Sequence, residues 1–239
     1  RARGTSSPLN QLTEMDEQLQ ATLTLVCAYL LGSVPTAYVV GRIVKGIDLR
    51  RVGSGTIGAS NVYYNVGRFW IVPVGVFDVF VKGLAPIYAA RSLDLDLMVQ
   101  AAAGVLVVVG HNWPIYLRFK GGRGVAPSVG VLLAMGRLEL AFIIVLACAG
   151  WQFTRAAAVW VLIAFLSLPI VALYFERPSS VVLLMVGLLL VTVIKRLASN
   201  SFRATGVNLP TLMLNRLLLD RDIADHDTWV QRNIAEGPQ

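Results

Sequence analysis

The sequence predicts an all-α, polytopic integral membrane protein with seven transmembrane helices. Two observations of composition carry this. Of 239 residues, 56% are hydrophobic and 15% charged, with a mean hydropathy of +0.65, whereas soluble domains carry about a quarter charged residues. The third observation is the recurrence of uncharged runs near the ~20 residues that a helix needs to cross a bilayer. Six or seven such helices with short loops use up the chain and leave no room for a sizeable extramembrane domain.

Residues 1–18 are polar and mixed in charge, and are expected to be an unstructured N-terminal tail. They show neither the basic start nor the small-residue cleavage site of a signal peptide. Because the chain does not open on methionine, Met15 is a candidate start. The first span, 19–41, is uncharged, and Gly32-Ser33-Val34-Pro35 is expected to interrupt it. A polar loop, 42–68, follows. The second span, 69–90, contains Asp78 and Lys82; the third, 97–117, is uncharged until Arg118. Between 125 and 154 the break Gly136-Arg137-Leu138-Glu139 divides two short apolar runs, which read as one long span or two short ones. The last spans are 156–175 and 179–194, so that a transmembrane domain covers 19–203 and a C-terminal tail 204–239.

Charge bias chooses between the two readings, since cytoplasmic loops collect Lys and Arg. With a turn at the break, one face receives Arg42, Lys45, Arg50, Arg51, Arg68, Arg118, Lys120, Arg123, Arg155, Lys195, Arg196 and Arg203, and the other only Arg91, Arg137 and Arg177. A single span would move Arg155, Lys195, Arg196 and Arg203 outside and weaken the bias. The expectation is therefore seven helices, with the N-terminus outside and the C-terminus cytoplasmic. The same bias explains why 21 Lys and Arg stand against 14 acids. A nucleic-acid partner is not implied, because no continuous basic stripe or aromatic-plus-basic platform exists. Cys27 and Cys148 fall inside apolar runs, where a small soft side chain serves packing, and neither a disulfide framework nor a zinc site follows.

On the predicted cytoplasmic face two glycine-rich segments meet. The first runs Asp48-Leu49-Arg50-Arg51-Val52-Gly53-Ser54-Gly55-Thr56-Ile57-Gly58-Ala59-Ser60-Asn61. Glycines let successive N–H groups turn inward as an anion-binding nest, and Ser and Arg add donors that strengthen on phosphate. The second runs Gly110-His111-Asn112-Trp113-Pro114 and then Phe119-Lys120-Gly121-Gly122-Arg123-Gly124-Val125. It opens the N-terminus of a helix, where the dipole favours an anion. Either loop alone also reads as a tight interhelical turn whose cations are topology signals; two of them on one face favour phosphate binding. Neither fits the G-x-x-x-x-G-K-[ST] nucleotide signature.

These loops resemble the bacterial acyl-phosphate:glycerol-3-phosphate acyltransferases, integral membrane enzymes of phospholipid synthesis. The family's first motif, D-x-R-x-x-G-S-G-N-x-G-A-T-N, is met at Asp48, Arg50, Gly53, Ser54, Gly55, Gly58, Ala59 and Asn61, with Thr56 and Ser60 as departures. The second, G-H-x-x-P-x-[FY]-x-x-F-K-G-G-K-G-V-A-T, is met at Gly110, His111, Pro114, Tyr116, Phe119, Lys120, Gly121, Gly122, Gly124, Val125 and Ala126. Arg123 replaces a lysine and Pro127 a threonine. Gly32-Ser33-Val34-Pro35 and the Asp78/Lys82 pair also look like family features, so the resemblance covers about 19–202. The third family motif, His-x-Glu-Asn at the end of the last helix, falls on Arg196, Ala198 and Ser199, with Asn200 one place further on.

The resemblance implies attack by the 1-hydroxyl of glycerol 3-phosphate on a fatty acyl phosphate, giving lysophosphatidate and phosphate without cofactor, metal or obligatory protein partner. An activated donor needs mainly positioning and charge stabilisation. By this reading Arg50, Ser54, His111 and Lys120 are catalytic. Gly53, Gly55, Gly58 and Asn61, with Gly121, Gly122, Arg123 and Gly124, bind substrate. His111 is a candidate base; a helix-end histidine bonded to a neighbouring loop, with a substrate phosphate oxygen as base, fits equally. The His-x-x-x-x-Asp dyad of other glycerol phosphate acyltransferases is absent, since Tyr116 stands five after His111.

Asp78 and Lys82 share one helical face, as a structural strut or a functional pair. The tail opens on 209–219, suited to a helix lying on the membrane surface. Asp220, Asp222, Asp225, His226 and Asp227 then read as a solvated charged helix, their spacing matching no metal loop. The rival functional class is a catalytically degenerate relative that binds or transports a phosphorylated small molecule. A transporter is expected to show repeated halves or paired broken helices, and no convincing repeat is present.

Overall fold

A computed structural model describes residues 8–198 and 208–225, with side chains from Glu14 onward. Among these residues the regular structure is helical throughout. Helix α1 (Pro8–Ser33) and α2 (Thr36–Lys45) are separated at Val34-Pro35, where proline has no N–H to continue the ladder. Residues 8–18, expected to be unstructured, thus form the first turns of α1; 1–7 lie outside the described residues. The break also turns Thr36 inward, and its Oγ1 donates to Asp78 Oδ1 at 3.1 Å.

A short helix, α3 (Ala59–Asn65), follows the first glycine loop. The second span is built from α4 (Ile71–Val76), a π-helical stretch Phe77–Leu84, and α5 (Ala85–Ser92). Helix α6 (Leu97–Asn112) is capped by Asp96, which accepts from the Met98 amide at 3.2 Å. It packs against α1, α5, α7 and α10 and is the most enclosed span. Small residues make that possible, since a Cβ on Gly110 would strike the Tyr29 carbonyl oxygen and one on Gly32 that of Val107.

Helices α7 (Val125–Met135) and α8 (Arg137–Thr154) are separate elements hinged at Gly136, the two-run alternative of the sequence reading. Then come α9 (Ala157–Tyr174), α10 (Ser179–Ala198) and α11 (Leu209–Leu219). Among the described residues six helical stretches are long and apolar enough to cross a membrane, where seven are expected from the sequence. The difference is α7, whose 11 residues reach only about 16 Å against a hydrocarbon core of about 30 Å.

Helix α7 nonetheless has a polar cluster at each of its own ends. At one end the Arg177 Nη2 donates to the Met135 carbonyl at 2.8 Å, and its Nε lies 3.0 Å from Oε1 of the fully buried Glu139. Arg91 reaches the Ala134 carbonyl at 3.4 Å. At the other end both glycine loops assemble. The main core, with Val107, Leu132, Leu168, Met185 and Leu188 wholly buried, fills the bundle, and a smaller one around Leu49, Val62 and Val74 sits beneath the first loop. Cys27 and Cys148 face outward from the bundle, not inward as packing residues.

Candidate active site

The first loop is rigid because it is tied to itself. Asp48 accepts from the Arg50 amide at 3.0 Å, opening a single turn at Leu49–Arg51. The Arg50 guanidinium returns to the same carboxylate, Nε to Oδ1 at 3.0 Å and Nη2 to Oδ2 at 2.7 Å, and lies over the Tyr38 ring. That bond holds the Asp48 carboxyl below its ordinary range, against the opposing effect of burial, and raises Arg50 in turn. Gly53 and Gly55 take positive φ values of 55° and 68°, a region that L side chains rarely adopt. Asn61 braces the loop from beneath. It is 2% exposed, and its Nδ2 reaches the carbonyls of Leu49 at 2.8 Å, Val52 at 3.1 Å and Thr56 at 2.8 Å. The Ser54 hydroxyl pairs with Thr56 Oγ1 at 2.8 Å.

The second loop folds back on the end of α6. The Gly122 amide donates to the His111 carbonyl at 3.0 Å. A Cβ on Gly121 would meet the carbonyl oxygens of His111 and Asn112, and one on Gly122 would strike His111 Nε2. Gly124, at φ 76°, begins α7 and packs on the Asn112 amide. His111 itself is 5% exposed, with Nδ1 3.4 Å from Lys82 Nζ and 3.9 Å from Asp78 Oδ2. Lys82 and Asp78 are paired at 2.6 Å in the π-helical stretch. Lys120 is exposed.

The end of α10 closes the arrangement. Lys195 Nζ donates to the Asn112 carbonyl at 2.6 Å, over the Trp113 ring. Arg123 Nη1 donates to the Lys195 carbonyl at 3.3 Å. Arg196, standing where the third motif has histidine, spans from the Leu217 carbonyl to that of Ala158, each at 2.8 Å. Ser199 and Asn200 lie outside the described residues.

A cavity of about 500 Å³ opens here, with Ser54, Asn61, Tyr64, Arg155, Arg196 and Arg221 in its wall. Ser54 and Asn61 of the predicted set thus line it directly. The second-loop glycines, His111 and Lys120 do not; Arg123 stands behind the wall, its Nη1 3.1 Å from Asp220 Oδ1. Sequence reasoning missed Arg155, Tyr64 and the whole contribution of the tail. It treated the tail acids as a solvated helix, yet α11 stops at Leu219. Asp220 then takes a left-handed φ of 56° and turns toward Arg123, and Asp222 is buried against Arg216 at 2.7 Å. Burial pushes the Asp220 carboxyl above the usual range, against the pull of Arg123, Arg196 and Lys195. His226 and Asp227 lie outside the described residues.

Comparison with known proteins gives a consistent result. Glycerol-3-phosphate acyltransferase 4 of Dehalococcoides mccartyi (strain CBDB1) is 38% identical over 220 residues, covering 89% of this chain and 94% of the relative. Glycerol-3-phosphate acyltransferase 2 of Moorella thermoacetica is 42% identical over 162 residues, 67% of this chain and 82% of the relative. Two crystal structures of PlsY, an integral membrane glycerol 3-phosphate acyltransferase, share the fold. The glycerol 3-phosphate form has a TM-score of 0.70 and 29% identity, covering 85% of this chain and 94% of that one. The lysophosphatidic acid form has a TM-score of 0.68 and 26% identity, covering 88% and 97%. The family model for glycerol-3-phosphate acyltransferase matches residues 22–205, a stretch that includes both glycine loops and the end of α10. With its bundle, its paired loops, the matched family model and these relatives pointing the same way, this chain belongs to the glycerol-3-phosphate acyltransferase family.

Proposed function

We propose that this membrane protein transfers a fatty acyl group from acyl phosphate to the 1-hydroxyl of glycerol 3-phosphate, yielding lysophosphatidate and phosphate, for phospholipid synthesis. The observation that carries the reading is the meeting of the Ser54 loop, the Arg123 loop and the cationic end of α10 around one cavity beside apolar helices. The glycerol 3-phosphate and lysophosphatidic acid forms of the PlsY structures support it from outside. We place the protein in the bacterial cytoplasmic membrane, working face toward the cytoplasm. The support is that Arg123, Arg155, Lys195 and Arg196 gather at the cavity end, whereas Arg91 and Arg177 hold the opposite one.

In the reaction the acceptor hydroxyl oxygen bonds to the acyl carbonyl carbon, and the carbonyl-to-phosphate C–O bond breaks, its electron pair leaving with phosphate. No protein nucleophile is needed. The Ser54 hydroxyl, set on the turn that Gly53 and Gly55 shape, is suited to contact the carbonyl or phosphate oxygens, and Gly58 opens α3 beside it. Arg50, neutralised by Asp48, holds the shape of this loop, and Lys120 is an exposed cation at the second. Gly121, Gly122 and Gly124 shape that loop, whose Arg123 stands behind the cavity wall and holds Asp220 in it. The hydroxyl proton passes to a substrate phosphate oxygen in this scheme. His111, enclosed with Lys82 and Asp78 and absent from the cavity wall, supports the loop through Gly122.

The test is lysophosphatidate formation by the detergent-purified chain from palmitoyl phosphate and glycerol 3-phosphate, with palmitoyl-CoA as a parallel donor. Product from the acyl phosphate alone is expected. Product from the CoA ester alone overturns the donor assignment. No product from either, with glycerol 3-phosphate still bound, overturns the transferase reading in favour of binding or transport.

A further inference from the structure

The C-terminal segment lies beyond the stretch that the family model matches, yet it is fastened to the site at three places. Arg196 Nη1 donates to the Leu217 carbonyl at 2.8 Å, and Arg216 Nη1 to the Leu197 carbonyl at 3.1 Å while Asp222 holds its Nε. Arg123 donates to the Asp220 carbonyl at 3.2 Å and faces the Asp220 carboxylate. These ties bring Leu219, Asp220 and Arg221 into the wall of the cavity that Ser54 also lines.

The charge balance of that wall is uneven. Three guanidinium groups, Arg155, Arg196 and Arg221, stand against one carboxylate, Asp220, which is already engaged by Arg123. Arg196 spends two of its five N–H donors on carbonyls, which fix its guanidinium between Leu217 and Ala158. Arg221 differs. Its Nε is buried and has no hydrogen-bond partner among the described residues. A buried donor without an acceptor costs free energy unless a ligand supplies one, and the planar guanidinium fork matches phosphate oxygens.

We propose that Arg221 binds the phosphate group of one of the two substrates, and that Asp220 is the positioning residue that seats Arg221 by anchoring the segment on Arg123. The tail thus completes a site that the family-matched region leaves open on one side. The inference rests on the acyltransferase reading for which substrates are meant, but its chemistry requires only a phosphate group in the cavity.

Two measurements on the full-length protein in detergent test it. The first is steady-state lysophosphatidate formation, with KM determined separately for glycerol 3-phosphate and palmitoyl phosphate. Arg221→Gln is expected to raise KM for one substrate about tenfold, with kcat changed less than about threefold, and Arg221→Lys to recover part of the loss. The substrate whose KM moves is the one held. Asp220→Asn is expected to raise the same KM, and Asp220→Glu to restore it. The second measurement is equilibrium titration with glycerol 3-phosphate and with inorganic phosphate, which needs no turnover. Should the wild type prove inactive, the transferase reading alone is overturned, and weaker binding by Arg221→Gln than by wild type still supports the inference. Equal binding and equal KM values in wild type and Arg221→Gln overturn the inference. So does a fall in melting temperature and kcat in both Arg221 variants with KM unmoved, which would mark a structural role.

Discussion

Arg50 and Asp48 form a two-point ion pair, Nε to Oδ1 at 3.0 Å and Nη2 to Oδ2 at 2.7 Å, inside the loop that carries Ser54. The cation is committed to its own loop, in the single turn at Leu49–Arg51 that precedes Gly53. Because the pair depresses Asp48 below its ordinary 3.8, the sign of its pH dependence is fixed. Its stabilisation is fully present above the unfolded value and is lost as pH falls through the lower folded value. Asp48→Asn is expected to cost about 1–2 kcal/mol, a charge-assisted bond discounted for the partial exposure of Arg50. Thermal unfolding in detergent should show a constant gap from wild type between about pH 5 and 8 that narrows in stronger acid. A gap that widens in acid would show that the pair does not hold the loop.

Ser54 offers a cleaner test of the chemistry. Among the described residues its hydroxyl bonds to Thr56 alone, pairing with Oγ1 at 2.8 Å and accepting from the amide at 3.3 Å, and it lines the cavity. Ser54→Ala removes one donor while leaving the backbone in place, so melting temperature should hardly move. Turnover is expected to fall about tenfold or more if that donor meets developing charge. Unchanged turnover would remove Ser54 from the site.

The membrane character, the helix break at Pro35, the split at Gly136 and the two loops are legible in the sequence because each is a local property of composition or spacing. Three features are not. The start of α1 at Pro8 extends a helix through polar residues, and hydropathy alone cannot find a helix that continues past the bilayer. The pairing of Arg50 with Asp48 turns a motif arginine inward to its own loop, a matter of geometry that a motif does not record. The inward turn of Asp220 and Asp222 depends on Arg123 and Arg216, nearly a hundred and six residues away respectively. A row of acids therefore looks solvated until its partners are placed.

Two glycines separate close approach from backbone conformation. A Cβ on Gly122 would strike the His111 ring, whereas one on Gly46 meets nothing within 4 Å but sits at φ 68°. Gly46→Ala should cost about 1 kcal/mol through the left-handed backbone alone, with turnover intact. Gly122→Ala has to displace a ring enclosed by Lys82 and Asp78, so it should lower both melting temperature and turnover. Equal mild effects from the two variants would mean that the second loop does not lean on His111.

The enclosed pair Asp78 and Lys82, 2.6 Å apart and 3% and 1% exposed, serves as a strut in one reading and as chemistry in the other. Removing one partner strands the other charge among apolar helices, at a cost of about 3 kcal/mol or more. Asp78→Asn alone and Lys82→Met alone should each therefore lower the melting temperature sharply. Replacing both removes the stranded charge, so the double variant should recover much of the stability, the non-additive outcome expected of residues in contact. Turnover decides the role. A strut predicts that activity returns with stability, because neither residue lines the cavity, whereas a catalytic pair predicts a stable double variant that forms no product. We expect partial recovery short of wild type, since the Asn amide oxygen that replaces Asp78 is a weaker acceptor for Thr36 Oγ1 and His111 loses its charged neighbours when the pair is gone.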